Sequence, residues 1–102
     1  MIADDLDKAQ LCADFAGRIH AAGLSGSYCY YERSYSATAQ KVVFPDGNTW
    51  RLVSEDPVEE EAPAIEVTPS GQVLVAVTQG GKVRVYRSQL DGWSFTVVGA
   101  VE

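Results

Sequence analysis

Hydrophobic residues in the first part of the chain recur at spacings of three and four positions. The residues of this stripe are Leu11, Cys12, Phe15, Ala16, Ile19 and Ala22. Such a spacing places side chains on one face of an α-helix, so it predicts an amphipathic helix over residues 5–22 with the stripe against the core. Gly23 is then expected to end the helix in the left-handed conformation that glycine adopts without strain.

Beyond residue 26 the pattern changes to short runs of β-branched and aromatic residues separated by turn sequences, which is typical of antiparallel strands. The predicted strands cover residues 27–35, 38–44, 49–54, 64–68, 73–78, 83–88 and 93–98. The clearest turn is the Pro-Asp-Gly-Asn sequence at 45–48, where Gly47 accepts a positive φ. The expected fold class is α+β, with one N-terminal helix packed on an antiparallel β-meander of six to seven strands, in a single domain spanning residues 1–102.

In two of these predicted strands, the residue pattern bears on which face is buried. The tyrosine-rich strand alternates so that Tyr28 and Tyr30 lie on one face and Tyr31 and Tyr35 on the other. The alternation alone does not rank its two faces. The segment 73–78 is apolar on both faces, which favours a central strand that is covered on both sides.

Length and charge narrow the class of protein. The chain has 102 residues, of which 46% are hydrophobic and 22% charged, as expected for one globular domain. No apolar run approaches the roughly 20 residues that cross a bilayer, and the N-terminus is acidic, so we expect a cytoplasmic protein. The net charge of −6 disfavours direct binding to nucleic acid or to an anionic membrane.

Catalytic and metal-binding patterns are sparse. His20 is the only histidine, and Cys12 and Cys29 do not form a closely spaced pair. On a helix Cys12 and His20 would be about 12 Å apart along the axis, and His20 would lie at the edge of the buried face or outside it, so we expect a solvated histidine. No phosphate-binding or nucleophile-elbow motif occurs. We therefore expect no catalytic residue, no metal, no cofactor and no enzyme activity, with both cysteines as buried free thiols.

The excess negative charge is concentrated in one segment. Six acids and no basic residue occur between Glu55 and Glu66, whereas the other eight acids equal the eight Lys and Arg residues in number. Pro57 and Pro63 keep residues 55–63 out of helices and sheet interiors. We call residues 55–63 the acidic strap and expect it to be exposed.

These observations predict a surface for a protein partner. The predicted partner-binding residues are Glu55, Asp56, Glu59, Glu60, Glu61, Glu66, Tyr31 and Tyr35. A row of carboxylates can occupy sites that normally receive phosphates, and exposed tyrosines are common interface anchors. The alternative is that the acidic strap only keeps the protein in solution.

The predicted function is a small acidic protein that binds and blocks a basic, nucleic-acid-handling surface of a partner protein. In size and charge the chain is similar to small inhibitors of phages and mobile elements, such as anti-CRISPR proteins, although no motif is shared. One alternative is an immunity protein that neutralises a toxic nuclease. Another is a small enzyme or ligand-binding domain that uses the tyrosine-rich strand.

Overall fold

The computed structural model describes residues 4–36, 38, 40–88 and 95–101, the last of these segments by its backbone alone. Within these residues the chain is all-β and contains no helix, hence none long and apolar enough to span a membrane. The strands are β1 (Asp7–Ala13), β2 (Ile19–Ser25), β3 (Tyr28–Arg33), β4 (Arg51–Leu52), β5 (Ala64–Val67), β6 (Val73–Gln79), β7 (Lys82–Ser88) and β8 (Phe95–Val101).

The strands form two four-stranded antiparallel sheets. The order is β1-β2-β3-β4 in the first sheet and β5-β6-β7-β8 in the second, so within each sheet the strands that are neighbours in sequence also pair with each other. Both sheets contribute to one buried cluster, whose members are Ala22, Leu24, Cys29, Tyr31, Phe44, Val53, Val73, Val75, Val77 and Tyr86. The two sheets therefore pack face to face over a shared core.

The predicted α+β fold class and the predicted helix over 5–22 are wrong. Residues 14–18 form a tight turn between β1 and β2, in which the Asp14 carboxylate accepts the N–H groups of Ala16 and Arg18 at 2.9 and 3.0 Å. Gly17 supplies the positive φ of 78° that this turn needs. Phe15, a member of the predicted helical stripe, is 88% exposed at the turn. Pairing with neighbouring strands thus overrides the apparent helical spacing.

Gly23 does not end a helix either, because it lies inside β2. A Cβ atom at this position would stand 2.7 Å from the Leu6 Cβ and 3.1 Å from the Asp7 carbonyl oxygen. The N-terminal segment crosses the outer face of the first sheet at this point. Lys8 has a positive φ of 52° where the pairing of β1 and β2 is interrupted by a bulge. Glycine is required at position 23 because the segment approaches too closely for any side chain.

The stretch between β3 and β4 departs from the predicted strands 38–44 and 49–54. In its described part only an isolated bridge joins Ser34 to Lys41, and β4 has two residues. Two segments pair with the same edge of β3. Tyr30 and Tyr31 pair with β4, and the Arg33 carbonyl accepts the Val42 N–H at 2.9 Å. The turn at 45–48 forms as expected, with a φ of 87° at Gly47.

In the second sheet, the strands lie close to the predicted ranges. β5, β6 and β7 differ by only one residue at an end from the predictions for 64–68, 73–78 and 83–88. On β6, Val73, Val75 and Val77 are buried and the residues between them are half-buried, as the central position of this strand requires. Residues 93 and 94 of the last predicted strand lie outside the described residues, and β8 covers 95–101.

Candidate functional site

A chain of hydrogen bonds runs from the β1–β2 turn into the core. Asp14 Oδ2 lies 2.7 Å from His20 Nε2, and His20 Nδ1 lies 2.5 Å from the Tyr31 hydroxyl oxygen. Both His20 and Tyr31 are buried, because their side chains point from β2 and β3 toward the second sheet. The expectation that His20 is solvated is therefore wrong.

The surroundings define the proton positions along this chain. Burial would raise the pKa of Asp14, but hydrogen bonds from His20 and from the turn N–H groups lower it, so the group is a carboxylate. Burial lowers the pKa of His20 and outweighs the opposing effect of Asp14. His20 is thus neutral, its Nε2–H donates to the carboxylate, and its Nδ1 accepts from the Tyr31 hydroxyl.

The structure ranks the two faces of the tyrosine-rich strand, which the alternation left open. Tyr31 was predicted to lie at the surface but is fully buried, and burial also raises the pKa of its hydroxyl. Tyr28 and Tyr30 occupy the outer face instead. Tyr35, beyond the end of β3, is 46% exposed as expected. Tyr31 cannot touch a partner protein or present its hydroxyl to a substrate.

Cys12 lies directly opposite His20 in the pairing of β1 with β2, not about 12 Å away along a helix axis. Burial, Asp14 and Glu66 together raise the pKa of the Cys12 thiol, and burial raises that of Cys29 to about 12. Both cysteines are free, and Cys29 is buried as expected, whereas Cys12 is only half-buried. Thiols with raised pKa values are protonated at neutral pH and are weak nucleophiles, so the Cys12–His20 neighbourhood lacks the activation that catalysis requires.

The acidic strap lies on the surface and is fastened to both sheets. On the first sheet, the Ser27 carbonyl accepts the Val58 N–H at 2.8 Å, and Lys8 Nζ donates to the Glu60 carbonyl at 2.7 Å. The six acids of the segment 55–66 are all exposed. The strap is therefore held in place by its backbone near the β2–β3 turn.

On the second sheet, the contacts involve the β6–β7 hairpin. The Thr78 carbonyl accepts the Glu59 N–H at 2.8 Å, and the Thr78 side-chain hydroxyl donates to Glu61 Oε2 at 3.2 Å. The Glu59 carboxylate also accepts the Gly81 N–H at 2.6 Å. Glu59 and Glu61 thus help to anchor the strap, a role that the sequence did not indicate.

A buried polar cluster fixes the start of the strap. The Gln79 side-chain amide donates to Ser54 Oγ at 3.0 Å and to the Asp56 carbonyl at 3.3 Å, and its oxygen accepts the Tyr86 hydroxyl at 2.7 Å. Gln79 and Tyr86 belong to the second sheet. Because buried polar groups need hydrogen-bond partners, this cluster specifies where the chain leaves the core at Asp56.

A small cavity on the outer face of the first sheet was not predicted. Its volume is about 220 Å³, and it is lined by Asp5, Leu6, Ser25, Tyr30 and Trp50. The rings of Tyr30 and Trp50 meet edge to face, with centroids 5.1 Å apart and planes at 82°. Alternation along the sequence shows that Trp50 and Leu52 share one face of their strand. It does not show that Leu52 pairs with Tyr30, which is what brings the rings of Tyr30 and Trp50 together.

Acidic groups surround one lysine beside this cavity. Lys41 Nζ lies 3.0 Å from Asp4, 3.2 Å from Asp5 and 3.5 Å from the fully buried Glu32. Burial would raise the pKa of Asp5, but hydrogen bonds from Glu32 and Lys41 lower it. The Asp5 group at the rim of the cavity is therefore a carboxylate at neutral pH.

Among the described residues, no group of three or more His, Cys, Asp or Glu side chains is arranged to hold a metal ion. The fold and these surfaces define a small, acidic, all-β protein of two packed antiparallel sheets. No protein-family model matches the chain, and no curated protein or solved structure matches it.

Proposed function

We propose that this protein is a non-enzymatic binder that acts in the cytoplasm, docks its acidic strap on a basic surface of a partner protein and so blocks the access of nucleic acid to that surface. One observation carries this proposal. The exposed acids lie on a segment that is hydrogen-bonded to Ser27 of the first sheet and to Thr78 and Gly81 of the second.

Anchoring gives the strap an advantage over a flexible acidic tail. A segment that is already ordered loses little conformational entropy on binding, so more of the electrostatic attraction contributes to affinity. Carboxylates at fixed positions also attract a basic surface from a distance, which raises the association rate at low salt. The solubility alternative requires negative charge but no fixed position for it.

The other candidate functions gain less support. The hydroxyl of Tyr31 and the ring of His20 are buried, which argues against a reaction on the tyrosine-rich strand. An immunity protein that covers a nuclease would use the same acidic surface, and identifying the partner would distinguish it. The likeness to phage inhibitors in size and charge gains no support from the fold.

The test compares proteins captured from a cell lysate by three forms of the protein. In the neutralised strap, three exposed acids lose their charge through the substitutions Glu55→Gln, Asp56→Asn and Glu60→Gln. The charge-matched control carries Gln10→Lys, Gln40→Lys and Val43→Lys, at exposed positions outside the strap. Both variants change the net charge of −6 by three units in the same direction.

We expect a basic nucleic-acid-binding protein to be retained by the wild type and the control and lost by the neutralised strap. An added oligonucleotide should displace it, and the association rate should fall as salt rises, because exposed charges are screened beyond about 8 Å at physiological ionic strength. Retention of the same proteins by the neutralised strap at every salt concentration would overturn the proposal.

A further inference from the structure

We propose that the cavity between Tyr30 and Trp50 is a subsite for an arginine side chain of the basic partner, whose guanidinium group lies on an aromatic ring and faces the Asp5 carboxylate. This inference rests on the proposed function, because that function supplies a partner with basic side chains. The residues that line the cavity belong neither to the buried hydrogen-bond chain nor to the acidic strap.

The two aromatic residues of the cavity favour a cation. Tyr30 and Trp50 both line it, and their ring planes stand at 82° to each other. The face of an aromatic ring is electron-rich and attracts cations, with Trp the strongest of the aromatic residues in this respect. Trp50 remains 38% exposed although it lines a cavity, which leaves part of its ring available to a ligand.

The charge of the rim favours a cation as well. Asp5 lines the cavity, and its carboxylate shares Lys41 with Asp4 and Glu32. One lysine cannot neutralise more than one carboxylate, so the cluster stays negative when two of the acids are ionised. Arginine combines stacking on an aromatic ring with hydrogen bonding to a carboxylate, whereas lysine offers only a compact charge.

The size of the cavity suits a single side chain. Its volume of about 220 Å³ lies below the roughly 300–1,000 Å³ of sites that hold drug-sized ligands. It nevertheless equals several times the roughly 30 Å³ that one water molecule occupies. The end of an arginine side chain fits this space.

The cavity also adjoins the acidic strap. Ser25 lines the cavity and begins the β2–β3 turn, and Ser27 in the same turn accepts the Val58 N–H of the strap. On the other side, Leu6 lines the cavity and Lys8, two residues further on, donates to Glu60. One basic surface can therefore contact the strap while a protruding arginine enters the cavity.

The experiment uses n-butylguanidinium chloride as the probe and uncharged n-butylurea, which has nearly the same shape, as its control. Binding is followed by NMR at the N–H groups of Leu6 and Ser25 and at the Trp50 indole N–H, with sodium chloride titrated separately to the same ionic strength. We expect saturable shifts with butylguanidinium, and binding about five-fold tighter than that of butylurea.

Variants locate the binding. Trp50→Leu and Tyr30→Leu should abolish the shifts at Leu6 and Ser25, and Asp5→Asn should reduce the preference for the charged ligand. Tyr35→Leu is the matched control, since Tyr35 is an exposed tyrosine that does not line the cavity. Its titration should match the wild type.

Equal binding of the two ligands, shifts no larger than those with salt, or shifts that survive Trp50→Leu would overturn the inference. Such a result would leave the strap proposal intact, because the capture experiment with the neutralised strap is independent of Trp50. Failure of the capture experiment would in turn overturn the strap proposal without affecting the titration, which contains no partner. If Trp50→Leu left the binding of the partner unchanged, the cavity would not be occupied by an arginine of that partner.

Discussion

The Nδ1 atom of His20 accepts a hydrogen bond from the Tyr31 hydroxyl at 2.5 Å, and both residues are buried. The opposite ring nitrogen donates to Asp14, so the imidazole has a partner on each side. Protonation of the ring would place a hydrogen on Nδ1, where the tyrosine hydroxyl now donates. The neutral form of His20 is thus built into the packing of the two sheets.

The stability of the protein should depend on pH through His20. Burial lowers the pKa of His20 in the folded state below its ordinary value of 6.5, so the unfolded chain takes up the proton first as the pH falls. The free energy of unfolding should therefore be largest above pH 6.5, decrease as the pH falls through the lowered folded pKa, and level off below it.

Urea denaturation at closely spaced pH values between 7.5 and 5 measures this dependence. His20→Gln is the control, because it removes the titrating group, and the slope in this range should disappear whatever the overall stability of the variant. Asp14 contributes only at more acidic pH, since its lowered pKa lies below 3.8. An equal slope in the variant would contradict the prediction.

Removal of the Tyr31 hydroxyl should destabilise the fold. Tyr31→Phe leaves the buried Nδ1 of His20 without its donor, and an unsatisfied buried polar atom costs about 1–3 kcal/mol. Tyr28→Phe provides the comparison, because Tyr28 is partly exposed on the outer face of the same strand. Loss of the Tyr28 hydroxyl should change the free energy of unfolding by less than about 0.5 kcal/mol. Thermal or urea unfolding of both variants tests the difference, and equal effects would count against the buried hydrogen bond.

A methyl group at position 23 should release the N-terminal segment from the first sheet. Gly23→Ala places a Cβ atom 2.7 Å from the Leu6 Cβ, and such overpacking costs about 1–3 kcal/mol. Hydrogen exchange should become faster in the segment before β1.

Gly26→Ala is the control for Gly23→Ala. Gly26 has open space around it but a φ of 62°, so alanine there costs about 1–2 kcal/mol through backbone strain alone. It should lower stability without altering exchange in the N-terminal segment. If both variants accelerated hydrogen exchange in the N-terminal segment equally, the close approach at Gly23 would not be what keeps this segment on the sheet.

The Glu59 carboxylate should protect the Gly81 N–H from hydrogen exchange, because it accepts this group at 2.6 Å. Glu59→Gln weakens a charge-assisted hydrogen bond at an exposed site, where such a bond is worth about 0.5–1 kcal/mol, so exchange at Gly81 should accelerate by roughly two- to five-fold. Glu60→Gln makes the same change of charge one residue away and should leave Gly81 unaffected. Equal acceleration in both variants would indicate a general effect of charge.

The first three strands of the second sheet could be predicted from the sequence because they contain several valines and are separated by glycine turns. The residues of β6 alternate between buried and half-buried, and Gly71, Gly80 and Gly81 have the positive φ values that such turns use. In this half of the chain, local preference and tertiary packing agree.

The first two strands could not be predicted because the β1–β2 hairpin also fits a helical spacing, whereas β3 lies within the predicted strand 27–35. Residues 7–25 contain only one β-branched residue, Ile19, and many alanines, so local preference favours a helix. Asp14 and Gly17, which form the turn, were the sequence features that could have indicated a hairpin. The buried position of Tyr31 was missed because alternation assigns residues to faces without showing which face meets the core.

The cavity beside Trp50 is assembled from parts that are distant in sequence, and this links ligand binding to local folding. Asp5 and Leu6 line it only while the N-terminal segment lies across Gly23. A ligand that contacts these residues favours the docked segment over the released one, and docking raises the affinity for the ligand by the same factor. Attachment of a bulky group ahead of Asp4 that pulls the segment away would thus weaken cation binding at a distance, although Tyr30 and Trp50 themselves remain unaltered.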